Sequence, residues 1–500
     1  MNDFIPNLSH WIGDSISSIS FFYPEISLLI GFLLVILADL FLAKRLPQLS
    51  FMITLFTLVL ITLQIFGSLH IQSTALFGGM IILDHFAVVF KLLFCLAGIL
   101  FVLFIRFNRS FQNHNKGLGD IYAITLAVHL GLNLMAMSAN LLMVYISLEM
   151  VSIGSYLMVS YLSEKPEQTE AGLKYALFGA VCSAIMLYGI SLIYGFTGTL
   201  YLGDPAFLVG LKDVPVMASG FALVMVLIGV GFKLAIVPLH FWAPDVYEGA
   251  PTPVTAFLST APKIAGFAIL IKFMLAFQNI GIKIADNPLT DFTVLIATLA
   301  ILSMLLGNFV AIWQNNTKRM LAYSAIAHTG FMFMALFDFS STGFKALVFY
   351  MLVYVLMNMA AFFIVDEIEE QTGKQNIDEY KGLGKQNSLL LISFLVVLVS
   401  LTGLPPTVGF TAKFLVFSAS LGAYTTSGSL MILSMIVVAA ISTVVSLFFY
   451  FKIPLNAFLR QSPDASARVL KKSPKTIIGV LIAFLLLLLT IFPSFIEQFI

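Results

Sequence analysis

The residues best suited to chemistry in this sequence are ionisable groups inside apolar segments. Lys233, Lys263 and Lys413 lie deep within otherwise apolar stretches of helix length, and Glu149 is the only acid that we place comparably deep. A charge at the centre of a bilayer costs about 2.5–3.5 kcal/mol on insertion scales, so such residues are rare and usually mark a path for ions or protons. We therefore predict that this chain moves charge across a membrane.

The numbers of buried amines and acids favour proton transfer over simple ion pairing. One carboxylate, Glu149, cannot neutralise three lysines, so at least two amines must face water, a histidine or a backbone carbonyl. A Glu149–Lys233 pair that opens and closes would let the amine alternate between holding and releasing a proton. The alternative is a permanent buried ion pair that only fixes helix packing.

Other polar residues in the spans have more than one interpretation. His328 could be a satisfied core histidine or a proton relay, and His240, close in the chain to Asp245 and Glu248, could belong to an access route from the inside. Three further lysines are expected to extend towards the lipid headgroups from the outer ends of their spans. They are Lys91, Lys272 and Lys345.

Composition limits the chain to the membrane. Sixty per cent of its 500 residues are hydrophobic and only 10% are charged, with a mean hydropathy of +1.00. These values predict an all-α polytopic membrane protein with the lipid bilayer as its solvent and no nucleic acid as a partner. The sequence contains no phosphate loop, dinucleotide fingerprint, iron–sulfur pattern or haem motif. We therefore expect no cofactor and no metal on this chain, and no redox chemistry of its own.

Apolar runs of about 20 residues predict about 14 transmembrane helices. They lie near residues 23–43, 50–67, 82–105, 120–137, 139–162, 172–197, 216–249, 251–277, 290–313, 320–338, 341–366, 388–422, 428–452 and 474–497.

Positive charges in the loops indicate the orientation. With the N-terminus outside, the inner loops carry 18 of the 26 Lys and Arg residues, and the outer loops carry Lys212 and Lys283. This asymmetry follows the positive-inside rule, so we expect both termini to lie outside.

Helices 7 and 12 are predicted to be broken. Their spans are too long for one straight crossing, and Pro238 interrupts one whereas Pro405 and Pro406 interrupt the other. Proline removes a backbone donor and clashes with the preceding turn. Broken helices at membrane depth are typical of ion sites in transporters.

Similar spacings predict an internal repeat. Lys233 and Lys413 lie 180 positions apart, and Glu149 and His328 lie 179 apart. We therefore predict two five-helix repeats, the second inverted because five is an odd number. The single membrane domain, 1–500, then divides into three leading helices (23–105), a first repeat (120–277), a second repeat (290–452) and a final helix (474–497).

Long strings of the sequence resemble a known family. The most specific is GFKLAIVPLHFWAPDVYEGAPTPVTAFLSTAPKIAGF at 231–267, accompanied by AGLKYALFGAVCSAIMLYGISLIYG at 171–195, NTKRMLAYSAIAHTG at 316–330 and LTGLPPTVGFTAKF at 401–414. They resemble the antiporter-like membrane subunits of respiratory complex I, the proton-pumping NADH–quinone oxidoreductase. VYEGAPTPVTAFLST is most similar to the subunit N branch.

The resemblance implies a role for each deep charge. Glu149, Lys233, Lys263 and Lys413 match the proton-channel residues of the family, at helices 5, 7, 8 and 12. It also implies that NADH, FMN, iron–sulfur clusters and quinone are bound by sister subunits, both membrane and peripheral. This chain would be a non-redox subunit of the enzyme, in the bacterial inner membrane.

Two alternatives remain for the function. The chain could belong to a multi-chain cation/proton antiporter, whose large subunits share this fold. It could also be a structural scaffold in a membrane-bound hydrogenase-type complex, with its lysines held in packing roles.

Overall fold

The computed structural model describes residues 4–114, 117–278, 292–337, 340–461 and 473–491, which form an almost entirely helical bundle. Thirteen helices in these ranges are long and apolar enough to cross a membrane. This confirms the all-α polytopic fold class. Five basic residues used for the orientation lie outside the described residues, as do positions 290–291, 338 and 492–497 of three predicted spans. The five are Lys116, Lys283, Arg468, Lys471 and Lys472.

The first part of the chain contains an N-terminal helix, three membrane helices and a small hairpin. Its elements are α1 (Phe4–Ile19), α2 (Tyr23–Leu42), α3 (Leu49–Phe66), β1 (Thr74–Leu76), β2 (Ile81–Leu83), α4 (His85–Phe107) and α5 (Arg109–Gln112). The two strands pair antiparallel. Neither the hairpin nor α1 was predicted. The side chain of Asp14 in α1 accepts a hydrogen bond from the Gly78 amide in the hairpin, 2.7 Å away.

The central part of the chain contains the first predicted repeat. Its helices are α6 (Gly119–Met137), α7 (Leu141–Val159), α8 (Pro166–Thr197), α9 (Pro205–Lys212), α10 (Val216–Leu234), α11 (Trp242–Gly249), α12 (Thr252–Leu258) and α13 (Ala261–Gln278).

The last part of the chain contains the second predicted repeat and a final helix. Its helices are α14 (Phe292–Trp313), α15 (Thr317–Met334), α16 (Ser341–Thr372), α17 (Leu383–Gln386), α18 (Ser388–Thr402), α19 (Val408–Ser427), α20 (Leu430–Pro454) and α21 (Pro474–Ile491). Short 3-10 turns at Ala335–Phe337 and Ile377–Tyr380 and a π-helical turn at Leu455–Leu459 complete it.

Burial separates a central group of helices from a lipid-facing periphery. In the most apolar 18 residues of each helix, the buried share is 100% for Thr252–Phe277, 94% for Ser341–Thr372 and 89% for Thr317–Phe337. By contrast, Tyr23–Leu42 is only 28% buried, with apolar side chains exposed. Exposed apolar side chains on a membrane helix are in contact with lipid or with another membrane protein.

Both predicted helix breaks are present. In the seventh span, the first helix ends at Leu234, and the next residue, Ala235, adopts a left-handed backbone conformation with φ +53°. The twelfth span is divided between α18 and α19, with Gly403 left-handed at φ +79°. Glycine adopts this conformation without steric cost, whereas alanine does so rarely.

Matched helix ends support the predicted repeat. Asn140 caps α7 through its side chain, and Asn316 caps α15 in the same way. The helices that follow, α8 and α16, are both 32 residues long and end at a left-handed glycine, Gly198 in one and Gly373 in the other.

The pairing of individual residues between the repeats differs from the prediction. The breaks correspond at Ala235 and Gly403, which are 168 positions apart rather than 180. Lys233 therefore lies before its break, whereas Lys413 lies after its own. The two lysines occupy opposite sides of corresponding breaks, because spacing in sequence does not account for unequal lengths between helices.

One of the three lysines expected at headgroup level is fully buried. Lys91 is 1% exposed and forms an ion pair with Glu25, which is itself fully buried, at 2.8 Å. Glu149 is therefore not the only acid of interest within the spans, since Glu25 is fully buried, although it lies in the first turn of α2 and not in the middle of its span. Lys345, by contrast, has an exposed side chain at the start of α16.

Candidate proton path

Glu149 lies in the middle of α7, on the edge of that helix's exposed face. Its carboxylate accepts a hydrogen bond from Ser183 of α8, and the Ser183 hydroxyl also lies 3.4 Å from the Tyr145 hydroxyl. Glu149 is partly buried, whereas Ile146 and Ile153 on the same face are 47% and 55% exposed. The acid therefore borders the lateral surface of the bundle instead of lying at its centre.

Lys233 lies in the last turn of α10, immediately before the break. Among the described residues its amine donates to Ser152 of α7, at 3.3 Å, and makes no direct contact with Glu149. Ser152 is three residues after Glu149, and residues three apart share a helix face. A hydroxyl on this face therefore lies close to the amine of Lys233 in place of the expected direct ion pair.

The break after Lys233 is stabilised by side chains from other segments. The Phe232 carbonyl accepts from the indole N–H of Trp242 at 3.0 Å, and the Val237 amide donates to Ser303 at 3.1 Å. Backbone groups freed at membrane depth must find such partners, because lipid offers none.

Lys263 projects from α13 towards α15 and is bound by neutral groups. Its Nζ donates to the carbonyl oxygen of Ala325 at 3.0 Å and to the Thr329 hydroxyl at 3.3 Å. Thr329 also lies 3.4 Å from the carbonyl oxygen of Leu234, the last residue of α10. One threonine thus connects Lys263 to the broken end of the helix that carries Lys233.

His328 lies at the centre of a network of tyrosines. Its Nδ1 is 2.7 Å from the hydroxyl of Tyr350, and its Nε2 is 3.2 Å from that of Tyr450. Tyr450 in turn hydrogen-bonds Ser324. Because a neutral imidazole has one donor and one acceptor nitrogen, and each tyrosine can donate or accept, this network can reverse its hydrogen-bond direction. Such a network suits a proton relay.

Lys413 lies in α19, just after the second break. Its amine donates to the carbonyl oxygen of Thr402, the last residue of α18, at 2.8 Å. It also lies 4.3 Å from the centre of the Phe331 ring, and that ring is 6.2 Å from the His328 ring. The structure therefore places Lys413 next to α15, on which the partners of Lys263 also lie.

A charged cleft of about 730 Å³ lies at the predicted inner end of the bundle. Within it, Arg319 bonds Asp245 at 2.6 Å and Glu248 at 2.9 Å, and Lys174 bonds Asp245 at 3.1 Å. Its lining contains more acids than bases. His240 is buried near the break, and the expectation that it belongs to an access route from this cleft stays untested.

Three hydroxyl side chains lie along the segment between this cleft and Lys263. Thr252 lines the cleft, and Thr255 and Ser259 follow at intervals of three and four residues, with Lys263 four residues further. Residues at these intervals share one helix face, and all four side chains are buried. The Thr252 hydroxyl donates to the Glu369 carboxylate, whereas those of Thr255 and Ser259 donate to backbone carbonyls of their own segment, at Pro251 and Ala256.

The structure places the five predicted residues on five different helices of the bundle, with Glu149 at the edge of the group, and among the described residues no direct hydrogen bond joins any two of them. Sequence reasoning missed the hydroxyl partners and the tyrosines around His328. The available signal was weak: hydroxyl residues lie three or four positions from a deep charge, as Ser152 does from Glu149. The partners of Lys263 and Lys413 were correctly expected to include backbone carbonyls.

This chemistry is well suited to moving protons. A lysine amine donates hydrogen bonds in both its charged and neutral forms, so a carbonyl or hydroxyl partner holds it in either state. A carboxylate at the same distance would strongly favour the charged form. Lys263 and Lys413 can therefore lose a proton without losing their position.

The sequence of this chain is similar to those of known membrane proteins. A family model described as "NADH:quinone oxidoreductase/Mrp antiporter, TM" matches residues 138–444. A protein of Chloroherpeton thalassium named NADH-quinone oxidoreductase subunit N 2 is 40% identical over 483 residues, which cover 96% of this chain and 93% of that relative.

Two solved structures have a similar fold. A chain of respiratory complex I from Thermus thermophilus with bound aureothin superposes with a TM-score of 0.76 and 31% identity, covering 94% of this chain and 97% of that one. A chain of the membrane-bound sulfane sulfur reductase, an archaeal respiratory membrane complex, has a TM-score of 0.83 at 23% identity, covering 96% of both chains. The second likeness concerns the fold alone.

Proposed function

Since the chain belongs to the NADH:quinone oxidoreductase/Mrp antiporter family of membrane subunits, we propose that it is the proton-translocating subunit N of an NADH–quinone oxidoreductase, or complex I. It carries out no electron transfer itself. Sister subunits bind NADH, FMN, iron–sulfur clusters and quinone, and this chain moves protons across the membrane when they react.

The single observation that carries this proposal is that the buried lysines have neutral hydrogen-bond partners. Lys263 and Lys413 are held by backbone carbonyls, and Lys233 by a hydroxyl. A structural lysine in a membrane would be expected to have a carboxylate partner, as Lys475 has in Asp366. Neutral partners leave the central amines free to exchange protons.

A proton taken from the inner cleft would first meet the acids that line it, then reach Lys263 beside the buried hydroxyls of α12. From Lys263, the side chains of α15 lead to His328 and onwards to Lys413. Since hydroxyls next to the route bond backbone carbonyls, mobile water would have to carry the proton between side chains. The broken helices provide the carbonyl acceptors at both ends of this row.

Coupling to the redox reaction would begin at Glu149. Its carboxylate lies at the edge of an exposed face of α7, where a neighbouring subunit could change its electrostatic surroundings. Because Ser152 and Ser183 lie beside Glu149, a change in its charge would act on Lys233 across a short polar contact. The effect on the three lysines would be electrostatic and conformational.

The chain is a multi-pass membrane protein, and we assign it to the bacterial inner membrane with both termini outside. The loop charges support this orientation. The matched ends of α7 and α15, and of α8 and α16, support the two five-helix repeats within one membrane domain. With α18 and α19 counted as one broken crossing, the helix total would be 14.

The family description also includes Mrp antiporters, so a cation/proton antiporter subunit is the second candidate. The two functions differ in what accompanies the chain. Purification of the native complex should yield NADH-oxidising activity and flavin for the first function, and neither for the second.

The proposed function is tested in inverted membrane vesicles that contain the assembled complex. We expect Lys233→Ala and Lys263→Ala to assemble normally but to reduce NADH-driven acidification of the vesicle interior by at least about tenfold, because a positioned proton donor typically contributes about 10²- to 10⁴-fold. Lys345→Ala is the matched control, because this lysine is exposed at the end of a neighbouring helix. Wild-type acidification and electron transfer in both variants would contradict the proposal.

A further inference from the structure

A second group of buried charges lies among the leading helices, away from the central row. Glu25 of α2 and Lys91 of α4 form an ion pair at 2.8 Å, and Asn133 of α6 donates to the same carboxylate oxygen of Glu25 at 3.0 Å. All three side chains are buried. Three different helices therefore meet at one polar point inside the bundle.

Another amine lies close to this pair. Lys272 of α13 interacts electrostatically with Lys91 and with Asp84, the residue that caps α4. In the part of the chain that the structure describes, the Lys272 Nζ is buried without a hydrogen-bond partner and lies 5.6 Å from the centre of the Phe86 ring. Lys91 thus has the fully buried Glu25 as its partner, whereas the acid that interacts with Lys272 is Asp84, which is only partly buried.

Several polar atoms beside the pair are also unsatisfied. Among the described residues, Glu25 Oε2, Asn133 Oδ1 and both ring nitrogens of His129 are buried without hydrogen-bond partners. His129 lies one helical turn from Asn133. Buried polar atoms of this kind are usually satisfied by internal water, which makes three or so hydrogen bonds at each such position. A salt bridge that served packing alone would leave no such set of free acceptors.

These residues lie at one end of the membrane domain. Glu25 is in the first turn of α2, Lys91 is in the second turn of α4, and Asn133 and Lys272 are near the ends of α6 and α13. In the proposed orientation this end faces outwards. Lys272 is nine residues beyond Lys263 on the same helix, or about 13 Å along its axis, and Phe267, Leu270 and Ile271 lie between them.

We propose that Lys272, Glu25 and Lys91 form an outer proton-release site, in which Lys272 exchanges a proton with outside water past Asp84 and the Glu25–Lys91 pair holds the water beneath it. This inference rests on the proposed function of the chain. The neutral Lys272 amine accepts a proton from that water, which regains a proton from the central row, and then gives its own proton to the water outside, so that amine and internal water both return to their starting states. The apolar layer between Lys263 and Lys272 narrows this route and limits return of the proton.

The charged surroundings of Lys272 fit this role. Asp84 and the exposed His85 lie at the outer end of α4, and Glu25 and Lys91 lie deeper. Cys95 also lies within electrostatic range of the pair, and His129 is one helical turn from Asn133. The partly buried Asp84 carboxylate attracts a proton leaving Lys272, whereas the positive charge of Lys91 opposes its return.

Substitutions that separate charge from proton exchange test the proposal in the intact complex. Lys272→Arg keeps a positive charge but cannot release a proton, because arginine stays charged in proteins. Lys272→His is smaller but exchanges protons near neutral pH. We expect Lys272→Arg to reduce NADH-driven acidification of inverted vesicles by about tenfold, and Lys272→His to retain most of it. Lys345→Arg, at the exposed outer end of α16, should behave as wild type.

The outcomes distinguish this site from the rest of the function. Wild-type acidification by Lys272→Arg would overturn the proposal, and so would equal losses in the arginine and histidine variants with normal assembly. Lys263→Ala is measured in the same experiment. If Lys263→Ala impairs pumping but Lys272→Arg does not, only the outer release site is refuted. If neither impairs pumping, the proposed function itself fails.

Discussion

The amine of Lys413 donates a hydrogen bond to the carbonyl oxygen of Thr402, so a side chain of one half-helix binds the open end of the other. The last carbonyls of a helix have no partners within it and carry partial negative charge. A break in a membrane helix therefore creates an acceptor that can hold an amine at membrane depth without a carboxylate. This is how an unpaired lysine is stabilised there.

Lys413→Arg should assemble but pump poorly. Arginine keeps the positive charge and donates hydrogen bonds to Thr402, yet it does not release its proton. We expect vesicle acidification to fall by about tenfold or more while the complex is recovered in normal amounts. Lys385→Arg, at an exposed position of the predicted inner end, is the control. Normal pumping by Lys413→Arg would mean that this residue supplies only charge.

Gly409→Ala should push α18 and α19, the two halves of the broken twelfth helix, apart. A Cβ at Gly409 would lie 1.7 Å from the carbonyl oxygen of Ser400, and a backbone atom cannot move aside as a side chain can. We expect a loss of about 1–3 kcal/mol in stability, the usual range for overpacking, measured as a lower melting temperature of the purified complex. Gly422→Ala, on the same helix with open space around it, should leave the melting temperature unchanged. Equal behaviour of the two variants would contradict the close contact.

Ser183→Ala should impair pumping less than Glu149→Gln does. The hydroxyl of Ser183 donates to the Glu149 carboxylate and helps to hold its negative charge. Its removal costs one hydrogen bond to a charged group, about 1.5–3 kcal/mol, whereas Glu149→Gln removes the charge. At matched rates of NADH oxidation, we expect acidification to be fastest in the wild type, slower in Ser183→Ala and slowest in Glu149→Gln. The reverse order for the two variants would show that the hydroxyl matters more than the charge.

The sequence was sufficient to predict the membrane helices, their breaks and the deep lysines, because hydropathy, proline and isolated charges are local signals. It was not sufficient for pairing between helices. Glu25 lies in the first turn of its helix, where nothing in the local sequence indicates a partner, and only the fold brings it to Lys91. Likewise, nothing local connects His328 with Tyr450, because 122 residues separate them.

Lys475→Met should weaken the attachment of the last helix. Lys475, in the first turn of α21, bonds Asp366 at 2.7 Å, contacts Glu370 and lies 3.6 Å from Glu367, all in α16. The lysine is 2% exposed, so its loss would leave several acids close together with little solvent to screen them. We expect a loss of about 3–5 kcal/mol, the cost of breaking a buried ion pair. This would appear as a lower melting temperature and faster proteolysis before α21.

Lys385→Met, at an exposed site of the same end of the bundle, should change neither the melting temperature nor the rate of proteolysis. Lys475 contacts two acids that line the inner cleft, Asp366 and Glu370, but none of the central lysines. The fraction of complex that remains assembled should therefore pump normally, and selective loss of pumping in that fraction would assign this acid cluster to proton uptake.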